Sequence, residues 1–282
     1  QCQRKNNKGM KVTVLMVVYN GEKYLVECVN SIINQTFSDF ELLIIDDGSA
    51  DNSLGIIQDF KDRRVRVVRN KHDYIGSLNL GLKESWGEYI ARMDVDDIME
   101  RYRLEEQIAI LDAYPEVAAC MCWAKTFGLV EKGLCRGNGI IRDALPELLC
   151  SNILIHSSAM LRKSFLLSHK IQYKDYPYAE DYKLWVDMSI VGACFWVVPK
   201  YLLKYRTSCE QVSAKHATEQ EATAVRIKNE ILLALLNDEN NNIASLQNIY
   251  SIMEYMNAQG ILSSNSIRMI MSILFKEIRV RK

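Results

Sequence analysis

The sequence predicts an α/β protein: a mostly parallel central sheet flanked by helices, with a helical extension at the C-terminal end. Three observations predict it. Short apolar, β-branched runs alternate with stretches whose apolar positions recur at helical spacing, the rhythm of right-handed β-α-β units. Polar or acidic residues gather just after several of those runs, at the rim where open parallel sheets bind ligands. From Thr218 onward the composition shifts to helix formers.

Val12 to Val18 is a continuous apolar run, as expected of a strand covered on both faces, and Tyr19-Asn20-Gly21 breaks it. Leu25, Cys28, Val29, Ile32 and Ile33 then recur at helical spacing between Lys23 and Asn34. Phe40 to Ile45 reads as a second buried strand ended by Asp46-Asp47-Gly48-Ser49. A helix over 51–62, a strand Val65–Arg69 and a helix over 76–85 follow. The fourth strand, from Tyr89, delivers three carboxylates within four positions, Asp94, Asp96 and Asp97. Arg103 to Ala113 is an amphipathic helical stretch, Val117–Trp123 a buried strand, and the glycine-rich 124–145 loops or a short hairpin. Phe195–Val198 reads as a strand, Tyr201–Arg206 as a closing segment, and Thr207–His216 as a lid. Helices are expected over 218–237, 245–258 and 263–277.

Thirty-five basic against 35 acidic residues leave no basic excess, which excludes a phosphate-tracking nucleic-acid binder. The eight cysteines form no C-x-x-C pair and several lie in apolar runs, as reduced thiols of a cytosolic protein do. The first nine residues lack the apolar core of a signal peptide, so 1–10 reads as a disordered or expression-derived tail. No apolar run reaches the length of a membrane span.

Crowding three carboxylates is costly unless a cation sits among them, and Mg²⁺ or Mn²⁺ takes such oxygens together with substrate phosphates. Asp96 and Asp97 serve equally well as caps for a following helix. The first turn, Y-N-G-E-K-Y, lacks the G-x-G-x-x-G of a dinucleotide site, and the chain has no G-x-x-x-x-G-K-S/T phosphate loop. A nucleotide bound without a glycine cradle needs its diphosphate neutralised otherwise, and the acids with a metal supply that. Glu180-Asp181 opens a further helix, where two carboxylates are either dipole partners or an acid/base pair.

Four stretches in this order, VTVLMVVYNGEKYLVECVNSIINQTF, FELLIIDDGSADNS, LNLGLKESWGEYIARMDVDD and AEDYKLWVDM, resemble family 2 glycosyltransferases over roughly residues 11–206. The resemblance implies a GT-A (Rossmann-like) fold, a nucleotide-sugar donor with UDP favoured, Mn²⁺ or Mg²⁺, and transfer with inversion to a glycan or lipid-linked acceptor in surface-polysaccharide synthesis. It implies that Val17, Tyr19 and Asn20 hold the base and ribose with support from Glu22, and that Asp47, with Asp46 beside it, reads the base edge. Asn79, Gly81, Arg92 and Asp94 would line the nucleotide. Asp96, with Asp97 as contender, would ligate the metal. Asp181 would be the base that deprotonates the acceptor and Glu180 its neighbour orienting the acceptor. His156 reads either as facing donor phosphates or acceptor, or as a structural histidine. The chain departs from the family at Glu84-Ser85-Trp86-Gly87, where alanine is common before x-Gly, at Glu100–Tyr102, where a proline is usual, and at Ser208, which replaces a histidine.

The expected organisation is a tail over 1–10, a catalytic domain over 11–216 and a helical extension over 217–282. The last helix combines apolar bulk with a basic end, which suits an anionic membrane surface on the cytoplasmic side, packing on the catalytic domain, or a homo-oligomer contact. Two other functions fit the acids: a catalytically weak nucleotide-sugar binder, and a sugar nucleotidyltransferase, which would usually carry a basic glycine-rich loop near its N-terminus.

Overall fold

The computed structural model describes residues 9–209, 211, 215–235, 243–258 and 260–280. Most of the N-terminal tail, residues 210 and 212–214 of the expected lid, and the basic 281–282 end lie outside them.

Its sheet runs β3-β2-β1-β4-β9-β6-β10-β5, with β7 on β6 and β8 on β10. The strands are β1 Val12–Val18, β2 Phe40–Asp46, β3 Val65–Arg69, β4 Tyr89–Met93, β5 Ile98–Met99, β6 Val117–Gly128, β7 Gly133–Leu134, β8 Gly139–Ile141, β9 Met160–Arg162 and β10 Cys194–Thr207. The helices are α1 Glu22–Ile33, α2 Ser53–Asp59, α3 Tyr74–Glu84, α4 Arg103–Ala113, α5 Leu145–Cys150, α6 Lys163–Ser168 and α7 Glu180–Ile190. Three more close the described chain: α8 Ala217–Leu235, α9 Ile243–Ala258 and α10 Ser264–Val280.

Strands β3, β2, β1 and β4 are parallel, whereas β9 is antiparallel to both of its neighbours, β4 and β6. Register fixes the rim. Val18 pairs with Asp46 and Asp46 with Arg69, so Tyr19, Asp47 and Asn70 leave the sheet at one level. Met16 opposite Met93 brings Asp94 to that rim as well.

The unbroken apolar run of β1 follows from burial on both faces. Leu15 and Val17 enter a cluster with Leu78 of α3, Leu148 of α5 and Trp185 of α7, whereas Val14, Met16 and Val18 pack against Leu25, Val29 and Ile32 of α1. Each such fully buried side chain stabilises the fold by about 1.5–3 kcal/mol. The first cluster also takes in Ile227 and Ile231 of α8, Tyr250 and Met253 of α9, and Ile267 and Met271 of α10. The C-terminal helices therefore share their core with α5 and α7.

Two stretches differ from expectation. The region after Trp123 is not mainly loop: β6 continues to Gly128 and pairs with β7, while β8 pairs with β10. Lys125 is exposed between buried Ala124 and Thr126, so this end of β6 is a half-covered strand without the apolar run that marks a buried one. The two segments expected around Pro199 are one strand, β10, which keeps its pairing to β6 through register shifts between Val198 and Leu203. Pro199 has no N–H to give the ladder, and the irregularity falls around it.

Candidate active site

The turn after β1 is built by its own polar residues. Asn20 adopts φ +51°, in the left-handed region that Asn tolerates. Its Oδ1 accepts from the Ala50 N–H at 2.8 Å, and its own N–H donates to Ser49 Oγ at 3.1 Å. Glu22 and Asp51 cap each other's helices: Glu22 Oε2 accepts from Asn52 N–H at 2.9 Å and Asp51 Oδ2 from Glu22 N–H at 3.0 Å. Tyr19 remains 47% exposed, its ring stacked on His72 with centroids 4.0 Å apart.

Beneath that stack Asp47 is buried. Its Oδ1 accepts from Ser77 Oγ at 2.6 Å and from Asp73 N–H at 2.9 Å, and its Oδ2 lies 3.2 Å from His72 Nδ1. Asp46, also buried, accepts from Ser49 N–H at 3.2 Å, and Arg69 lies 3.6 Å from its other oxygen. Val17 is part of the apolar core below the turn. Asn79 and Gly81 hold α3 in place. Asn79 exchanges two 2.9 Å hydrogen bonds with the backbone of Tyr173, and Gly81 admits Leu15 where a Cβ would collide with it.

The acids after β4 are held by two arginines, buried Arg92 and half-buried Arg206. Arg92 is 1% exposed; its Nη2 donates to Asp94 Oδ1 at 2.6 Å and to Tyr74 Oη at 3.1 Å. Arg206 clamps the rest of the loop. Its N–H donates to Asp97 Oδ1 at 2.9 Å, its Nε to the Asp96 carbonyl at 2.7 Å, and its Nη2 to Glu27 at 2.6 Å. The guanidinium lies over the rings of Tyr24 and Phe127. Asp97 is buried, and its Oδ2 has no hydrogen-bond partner among the described residues. Burial, and then the Asp94 charge, push the Asp96 carboxyl up to about 6; burial first, then Asp94 and Asp96, push Asp97 well above the carboxylate range.

An orphaned buried oxygen and a surplus of negative charge fit a hard divalent cation. Among the described residues no three His, Cys, Asp or Glu side chains converge closely enough to cage one. Mg²⁺ and Mn²⁺ commonly sit on one or two carboxylates and take their remaining oxygens from water and bound phosphates.

The α7 N-terminus supplies the second acidic pair. It has no side-chain cap, and Tyr178 just before it holds φ +60°. Asp181 Oδ2 accepts from Asn152 Nδ2 at 2.9 Å and its Oδ1 from Tyr182 N–H at 2.6 Å. Burial raises Asp181 to about 6; burial and then the Asp181 charge raise Glu180 to about 7. His156 Nε2 lies 2.8 Å from Tyr173 Oη, and burial and then Arg92 hold the ring neutral by lowering its pKa well below the usual value.

A cavity of about 540 Å³ joins these parts. Asp94, His156, Asp181 and Asn152 line it together with Gln220, Glu221 and Lys228 of α8. Asp94 and Asp181 therefore share one cavity, and Asp96 and Asp97 follow Asp94 in its loop. Tyr19, Asp46 and Asp47 stand along the rim at the ends of β1 and β2. Glu22, Asn79 and Gly81 have their contacts in capping and helix packing. His72 and Ser77 carry no signal in sequence beyond a place just after β3 on the same rim. No local motif marks the α8 residues of the cavity, and Arg206, expected beside a lid, is anchored to the acid loop.

Residues 13–165 match the sequence profile described as Glycosyl transferase family 2. An uncharacterised glycosyltransferase of Haemophilus influenzae is 35% identical over 241 residues, covering 80% of this chain and 74% of its own length. The chain spans 58% and 33% of two further glycosyltransferase relatives, from Bacillus subtilis and Streptococcus pneumoniae. Among solved structures, S. aureus TarS 1-349 in complex with UDP-GlcNAc superposes with TM-score 0.70 at 19% identity, over 88% of this chain and 73% of that one. The mannosyltransferase PcManGT from Pyrobaculum calidifontis, in complex with GDP-Man and Mn2+, gives TM-score 0.58 at 15% identity, over 93% and 86%. At these identities the superpositions establish the fold, a GT-A α/β architecture with a central sheet between helices. No helix among the described residues is long and apolar enough to cross a membrane.

Proposed function

The chain belongs to glycosyl transferase family 2, and from that premise we propose that it moves a sugar from a nucleotide-sugar donor, UDP-linked by preference, to a hydroxyl of a glycan or lipid-linked acceptor, with inversion at the anomeric carbon. One observation carries the reading: Asp94 of the acid loop and Asp181 of α7 face a single cavity of about 540 Å³. A site that cleaves a nucleotide-sugar by direct displacement needs a diphosphate anchor and a base on opposite sides of the sugar.

In this reading the base stacks on Tyr19, in place of or beside His72, and Asp47 accepts from its edge. Asn20 keeps the turn open, and Arg92 orients Asp94 toward the ribose. Asp96 and Asp97 would hold Mn²⁺ or Mg²⁺, which supplies Lewis-acid stabilisation of the charge on the departing diphosphate. Asp181 takes the acceptor hydroxyl proton as that oxygen attacks, and Glu180 orients the acceptor. Arg206 keeps the acid loop in register through Asp96 and Asp97. The acceptor occupies the cavity between Asp181 and the α8 wall, which leaves the sugar between it and the acids.

UDP-GlcNAc and GDP-Man in the superposed structures support a nucleotide-sugar donor, and the Mn2+ of one supports a divalent metal. A thermal-shift panel of UDP-, GDP- and dTDP-sugars with Mn²⁺ tests the donor class. A nucleotide-selective rise that vanishes with EDTA is expected, and no rise with any of them would reject the reading.

A further inference from the structure

We infer that Asn152 is a positioning residue for the transfer, its side-chain amide holding the Asp181 carboxylate in the orientation and charge state that proton uptake requires. The inference rests on Asp181 being the base. Asn152 lies just beyond α5, and its amide has only one workable orientation. Its Oδ1 accepts from Leu154 N–H at 3.3 Å, so Nδ2 is left to donate to Asp181 Oδ2 at 2.9 Å, and a carboxylate can only accept. Arg136 Nη1 donates to the Asn152 carbonyl at 2.8 Å and ties this segment to the β7–β8 connection.

No other side chain among the described residues donates a hydrogen bond to Asp181. The charged and titratable groups around it work mostly against its ionisation. Glu180 on α7 and Asp94 after β4 are acidic, and Tyr173 and Tyr205 and the neutral His156 lend no charge. Arg92 is positive but committed to Asp94. Arg136, Glu221 and Lys228 line the same cavity. Burial raises the Asp181 carboxyl, and the Asn152 hydrogen bond opposes that rise. The arrangement is that of a base oriented by a third group.

The test is carbon-13 titration of the Asp181 carboxyl in the full chain, with its resonance identified by its loss in Asp181→Asn. Wild type is compared with Asn152→Ala and Asn152→Asp. The apparent pKa should rise by about one unit in Asn152→Ala, equivalent to a tenfold weaker hold on the ionised form. It should rise further in Asn152→Asp, which keeps the Leu154 contact but sets two carboxylates within hydrogen-bond reach. The acid limb of the donor-cleavage pH profile should move with it, with donor KM unchanged. An unmoved Asp181 titration in either folded variant overturns the inference. A moved titration with full turnover by Asp181→Asn would instead leave the contact standing and reject Asp181 as the base.

Discussion

In the proposed role of base Asp181 must be ionised to take a proton, and burial pushes its carboxyl up to about 6. A carboxyl with a raised pKa is lost as a base when the pH falls through that value, so transfer at saturating donor should decline below pH 6 and level off above 7. Asp181→Asn should keep metal-dependent nucleotide binding and lose transfer by about two to four orders of magnitude, the usual worth of a general base. Asp96→Ala should lose the metal-dependent part of nucleotide binding, and transfer with it, as read by calorimetric titration with and without Mn²⁺ and by turnover. The carboxylates at 94, 96, 97, 180 and 181 were legible in sequence because they interrupt apolar patterns at places where a strand ends or a helix begins. Asn152 and His72 were not. Each acts on a residue more than twenty positions away, and only the fold brings Asn152 to Asp181 or His72 to Tyr19.

At the scale of elements, the turn between α3 and β4 shows what the sheet demands of its connections. Thr13 Oγ1 donates to Glu41 at 2.7 Å and accepts from the N–H groups of Trp86 and Gly87 at 3.0 and 2.8 Å. Gly87 passes so close to β1 that a Cβ would collide with the backbone of Val12 and Thr13. Gly87→Ala should therefore destabilise the protein by about 3 kcal/mol, the upper end for forced overpacking, as read by urea unfolding. A loss below 1 kcal/mol would mean the strands can yield there. The parallel half of the sheet was legible because β1, β2 and β4 are buried along their whole length and are mostly apolar, with Thr13, Glu41 and Arg92 the polar residues inside them. The edge beyond Trp123 was not, since half-covered β6 and the irregular course of β10 around Pro199 imitate loops.

At the scale of the molecule, α8 belongs to the cavity wall as well as to the core, and α9 and α10 to the core. Lys183, two residues after Asp181 on α7, is nearly buried between Asp187 at 2.6 Å and Glu230 of α8 at 2.7 Å. Tyr176 Oη adds a 2.5 Å hydrogen bond to Glu230. Burial alone would raise the Glu230 carboxyl, but the Lys183 and Tyr176 hydrogen bonds hold it below its usual value. This latch therefore contributes its full stability above the unfolded carboxyl pKa of about 4.3 and loses it as the pH falls through the lower folded value. Glu230→Gln should cost about 1–2 kcal/mol at pH 7 and progressively less below pH 4. Sequence composition announced these helices but could not say which surface they cover. The basic end of α10, proposed for a membrane surface, lies beyond the side chains described. Flotation of the full chain on anionic liposomes against a chain ending at Gly260 tests that proposal, and equal flotation rejects it.

The most direct test of the two-sided site is nucleotide release from a UDP-, GDP- and dTDP-sugar panel, measured for wild type, Asp96→Ala and Asp181→Asn with Mn²⁺ and with EDTA. Wild type should release nucleotide from one donor class and only with metal. Both variants should be silent, and only Asp181→Asn should still bind that nucleotide in a metal-dependent way. Normal, metal-independent release by either variant would contradict the division of labour between the acid loop and α7.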